Sequence, residues 1–111
     1  MSTRDIGNKA EDRAAEFLRR QGYQILDRNF RSKFGEIDLV ALDGETLVFV
    51  EVKARASRRF GLPEEAVNPR KIRHITLAGQ YYASLHPTLP QLQRIDVISI
   101  EGDELRLISV V

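Results

Sequence analysis

The segment GEIDLVALDGETLVFVEVKAR, residues 35–55, leaves few folds open to this chain. Asp43 and Gly44 lie between two aliphatic runs, and an Asp-Gly pair favours the positive backbone angles of a tight turn. The segment therefore reads as a β-hairpin with strands over residues 36–42 and 46–54. Side chains alternate along a strand, so Glu51 and Lys53 project from one face while Val48, Val50 and Val52 fill the other. A turn of Asp43 and Gly44 alone is even in length and places Asp38 on the face of Glu51, opposite or diagonal to it.

The flanking segments follow the same rules. Over residues 3–21, Ile6, Ala10, Ala14, Phe17 and Leu18 recur at helical spacing, and Gly22 stands where a left-handed cap ends a helix. Residues 23–31 read as a strand with Tyr23 and Ile25 on one face and Leu26, Arg28 and Phe30 on the other. Residues 55–68, with Arg58, Arg59, Gly61 and Pro63, lack periodicity and form a long connection. Asn68 then caps a second helix, since proline at position 69 suits a first helical turn. This helix runs to about Leu85 with Ile72, Ile75, Ala78, Tyr82 and Leu85 as its apolar positions, and at least one of Tyr81 and Tyr82 faces the core. Pro87 and Pro90 mark the exit loop, and strands over residues 94–100 and 105–110 flank a turn at Glu101, Gly102 and Asp103. The element order αβββαββ predicts an α/β fold, a mixed sheet covered by helices. A length of 111 residues suits one domain, residues 1–111.

Composition narrows the chemistry. The chain has no cysteine and two isolated histidines, His74 and His86, so a thiolate site is excluded and a zinc site disfavoured. Any metal needs oxygen ligands. A formal net charge of +1 does not by itself announce a nucleic-acid binder, so the placement of charge must carry that argument. The opening residues MSTRDIGNKAED carry charge and no apolar run, which predicts no signal peptide, no membrane association and a cytoplasmic location.

Asp38 and Glu51, brought together on the hairpin, repel each other unless one takes a proton or a cation sits between them. Magnesium or manganese fits that need, because each accepts oxygen ligands and keeps waters and substrate phosphate in its shell. Lys53 beside such a site can orient the attacking water and meet charge growing on a phosphate, which makes phosphodiester hydrolysis the natural reaction. The plainer alternative is a solvated strand face with cross-strand ion pairs.

A basic group follows. Arg55, Arg58, Arg59, Arg70, Lys71 and Arg73 cluster in the connection and in the first turn of the second helix, where cations oppose the helix dipole. A fold gains nothing from that, whereas a nucleic-acid backbone is gripped by it. The alternative is a solvated loop partly balanced by Glu64 and Glu65.

The segments GYQILDRNFR, GEIDLVA, LVFVEVKAR and RIDVISI closely resemble the YraN family of bacterial proteins over nearly the whole chain. That family is similar in turn to archaeal Holliday-junction resolvases and to the PD-(D/E)XK nucleases. The resemblance implies a restriction-endonuclease-like fold, with Asp38 and Glu51 as metal ligands, Lys53 as the catalytic lysine and Glu11 as a further acidic residue holding metal or its water. Ala10 stands where relatives usually carry glycine, and Ile37 replaces the proline of the superfamily's name while agreeing with the YraN pattern. A glutamate at position 11 is otherwise explained by solvation or by the helix dipole. Glu36 is a further candidate ligand, and Gln80 a candidate contact from the second helix. The function implied is a metal-dependent endonuclease cutting DNA, suggested by the resemblance to be branched or recombination-type, with a homodimer expected by analogy. Two rivals remain: a nucleic-acid-binding module of this architecture without efficient catalysis, and a protein-interaction domain.

Overall fold

Gly22 ends the first helix as its sequence position demands. Its φ of +95° allows Gly22 N to donate to Arg19 O at 3.0 Å and Tyr23 N to Leu18 O at 2.9 Å, which satisfies the last carbonyls and turns the chain into the sheet. The computed structural model describes residues 3–55 and 68–110. Its elements are α1 (Thr3–Arg20), β1 (Gln24–Ser32), β2 (Gly35–Asp43), β3 (Thr46–Arg55), α2 (Pro69–Leu85), β4 (Leu92–Glu101) and β5 (Glu104–Ser109). The five strands lie in sequence order, with β3 and β4 parallel and the other neighbours antiparallel. This is the expected αβββαββ mixed sheet, in agreement with a restriction-endonuclease-like fold.

Strand alternation splits the core in two. Val48 and Val50 of β3 join Leu39, Ile98 and Ile100 beneath Ala10, Ala14, Ala15 and Leu18 of α1, whereas Leu47 and Phe49 join Val40 and Ile95 beneath Ile75, Ala78 and Tyr82 of α2. The second helix packs closely because Gly79 has no side chain: a Cβ there would lie 2.5 Å from the Phe49 ring. At its start Lys71 N donates to Asn68 Oδ1 at 2.9 Å, the expected cap. Tyr82 is buried and Tyr81 exposed.

Three expectations need correction. The hairpin turn is centred on Gly44 and Glu45, with Asp43 paired to Thr46, one residue beyond the expected pair. The turn remains two residues long, so Glu51 and Lys53 keep their shared face. Arg28 does not share a face with Leu26 and Phe30. It crosses to Asp12 of α1 at 2.7 Å, because an irregularity between Ile25 and Asp27 resets the alternation. Leu85, the last residue of α2, is 51% exposed rather than packed. The side chain of Ile6 lies outside the described residues.

Candidate functional site

Pairing of β2 with β3 runs from the turn to Leu39 and Val50, and Asp38 and Glu51 are the next residue of each strand beyond that last pair. At that point the strand changes. Leu39 packs beneath α1, yet Ile37, two residues away, packs beneath α2, so β2 rotates at Asp38 instead of alternating. Asn29, across on β1, takes a φ of +53°, which accommodates the same rotation. The freed carboxylate replaces a ladder bond, and Asp38 Oδ2 accepts from Val52 N at 2.8 Å. Asp38 is thereby fixed to β3 where both Glu51 and, more weakly, Glu11 of α1 act on it.

Glu51 is 4% exposed. A carboxylate so withdrawn from water needs cations, and among the described residues two supply them: Lys71 Nζ lies 3.3 Å and Lys53 Nζ 3.5 Å from the same oxygen, Oε1. Lys53 comes from the same strand face. Lys71 comes from the first turn of α2, a residue the sequence placed only with the nucleic-acid contacts. The long connection between β3 and α2 hides that approach from sequence reasoning; only the Asn68-Pro69 start signal shows where the helix begins.

Burial, and next the charge of Glu51, push the Asp38 carboxyl up to about 7, against the lowering effect of the Val52 hydrogen bond, with Glu11 and Glu36 adding further repulsion. Glu11 is also raised, first by burial, with Arg28 opposing and Glu36 adding to it. Among the described residues its Oε1 is buried without a hydrogen-bond partner. Such an atom is costly to bury unless a ligand meets it.

The raised carboxyl has a stability consequence. The folded chain keeps the Asp38 proton to about pH 7 while the unfolded chain releases it near 3.8, so the stabilising protonated form is complete below 3.8 and lost as pH rises through 7. Asp38→Asn keeps an acceptor for Val52 and carries no charge. In metal-free urea unfolding it is expected to match the parent below about pH 4 and to exceed it by roughly 2 kcal/mol above about pH 8. An equal difference at both pH values would contradict the buried repulsion.

These side chains fit a hard divalent ion by chemistry: two interacting carboxylates and an orphaned third oxygen, all oxygen donors. Among the described residues no three acidic or histidine side chains already gather into an ion cage. Such an ion would need water and substrate oxygens for the rest of its shell. Glu36 is exposed and faces Arg31 at 3.6 Å, so it acts on the site only by its charge. Gln80 is exposed, nine residues along α2 from Lys71, roughly 13 Å at helical rise, and does not reach Glu51. Arg70 and Arg73 are exposed on the first turns of α2. Arg58 and Arg59, with the Arg55 side chain, lie outside the described residues.

Comparison with known proteins adds a family. The profile described as "Uncharacterised protein family UPF0102" matches residues 10–100. A UPF0102 protein of Caldicellulosiruptor saccharolyticus is 44% identical over 100 residues, covering 90% of this chain and 85% of its own. One from Syntrophomonas wolfei is 47% identical over 97 residues (87% and 84%), and one from Symbiobacterium thermophilum 46% over 106 residues (95% and 90%). Among the described residues no helix is long and apolar enough to cross a membrane.

Proposed function

The chain belongs to the UPF0102 family, and we propose that it is a divalent-metal-dependent endonuclease that hydrolyses phosphodiester bonds in DNA. One observation carries the proposal: Asp38 is hydrogen-bonded to Val52 N, next to Glu51 on β3, and feels the charge of Glu51, with Lys53 beside Glu51. Burial, and next the charge of Glu51, favour a proton on Asp38, and a cation between the carboxylates meets the same need. Asp38, Glu51 and Glu11 would hold magnesium or manganese, which supplies a polarised water and neutralises charge on the phosphoryl oxygens. Lys53 orients the attacking water and meets the negative charge that develops during displacement. Val52 N–H keeps Asp38 aimed at the site through the 2.8 Å hydrogen bond. Arg70, Lys71 and Arg73 grip the phosphate backbone, together with Arg55, Arg58 and Arg59. Preference for branched or recombination-type DNA rests on the resemblance to junction resolvases, and cutting both strands calls for two sites, hence a homodimer.

The test incubates the protein with manganese or magnesium and linear, flapped, single-stranded and four-way DNA. Cutting of at least one substrate that Asp38→Ala cannot perform is the expected result. Binding without cutting under all conditions would favour a nucleic-acid-binding module, and retained cutting by the variant would place the activity elsewhere.

A further inference from the structure

Glu51 holds two ammoniums on one oxygen, and the two are mounted differently. Lys53 is carried by β3, paired to Ser99 of β4 and two residues from Glu51, so the strand itself keeps its ammonium near the carboxylate. Lys71 reaches across from α2 on a flexible four-carbon stem, its side chain 39% exposed, and it also lines an open groove of about 280 Å³ with Asn68, Arg70 and His74. A single carboxylate charge balances one cation well. A divalent ion arriving at Glu51 meets both ammoniums, and Lys71, which borders the groove, has a second place to turn to.

We infer that Lys71 is an exchangeable counter-ion: it neutralises Glu51 in the cation-free protein and turns into the adjoining groove to hold a substrate phosphate once a divalent cation takes the carboxylate. This rests on the reading of Asp38 and Glu51 as metal ligands. Basic Arg70 in the same groove favours a phosphate as the new partner. Released Lys71 strengthens phosphate binding, and bound phosphate keeps Lys71 away from Glu51, so metal and nucleic acid bind cooperatively, each raising the affinity of the other by the same factor.

The experiment compares the wild-type chain with Lys71→Met and Lys71→Arg. Calorimetry with manganese alone measures the ion, and binding of duplex DNA in calcium across a salt series measures the phosphate contact without depending on turnover. Lys71→Met is expected to bind manganese about fivefold more tightly, because a competing positive charge is gone. Its DNA affinity in calcium should fall, with the salt slope smaller by about one. Lys71→Arg should restore the slope. Manganese should tighten wild-type DNA binding more than it tightens that of Lys71→Met. Manganese affinity unchanged in Lys71→Met overturns the exchange, even if the slope changes, and so does an unchanged slope. No manganese binding by the wild-type chain, or equal binding by Glu51→Gln, overturns the metal-site reading and the exchange with it. The two failures are thus told apart by whether the wild-type chain binds manganese through Glu51.

Discussion

Glu51→Gln is expected to lower DNA cleavage by about a thousandfold in saturating manganese, on the order of 4 kcal/mol of transition-state stabilisation, while the protein stays folded. The substitution keeps the shape of a side chain that is 4% exposed and removes only its charge. Two effects then act in opposite directions on fold and function. Relief of repulsion lets the Asp38 carboxyl ionise more easily, since Glu51 is the largest charge raising it. Against that, Lys53 and Lys71 lose their shared partner, a modest loss because both side chains are more than a third exposed and can turn to water. Stability therefore changes little, and the loss appears in chemistry: the ion loses a charged ligand and its position against the phosphate. Single-turnover cleavage beside circular dichroism separates the two. Activity within tenfold of the parent would move the reaction away from Glu51.

The site was legible in sequence to the extent that strand alternation governs it. Parity puts Glu51 and Lys53 on one face, where the two side chains meet, and it survives a turn displaced by one residue because the length of the turn stays even. Parity failed where the backbone departs from a regular strand. The rotation at Asp38 opposite Asn29, and the irregularity after Ile25 that sends Arg28 to α1, have no signature in hydrophobic pattern. Glu11 entered through family resemblance, and its burial with an orphaned oxygen is a tertiary fact. Lys71 was read as one cation among several, since its approach to Glu51 depends on how α2 returns over the sheet. The need for glycine at position 79 likewise comes from the Phe49 ring of β3 lying against it, a contact between elements with no local signature.

A second arrangement that sequence did not signal sustains the first from the opposite end of the hairpin. Asp96 is completely buried, and Arg94 binds both its oxygens, Nε at 2.9 Å and Nη2 at 3.1 Å, while Nη2 also donates to Asp43 Oδ2 at 3.0 Å and to Tyr23 Oη at 2.7 Å. One guanidinium thereby ties β4 to the hairpin turn and to the start of β1. These carboxylates hold Arg94 above even the usual arginine range, Asp96 foremost. Fixing Asp43 fixes the register of β2 on β3, and that register runs up to Leu39 and Val50, the residues next to Asp38 and Glu51. Arg94→Met should therefore cost about 3–5 kcal/mol, because it strands a buried carboxylate. For a chain of this size that lowers the thermal midpoint by roughly 15 °C. The pair itself is worth less than its breaking costs, since both charges were taken out of water to make it. Adding Asp96→Val to Arg94→Met removes the stranded charge and should recover more than half of the loss. If the double variant is no more stable than Arg94→Met alone, Arg94 acts chiefly through Asp43 and Tyr23. The hairpin register, followed by amide exchange in β2, should then loosen in both variants alike.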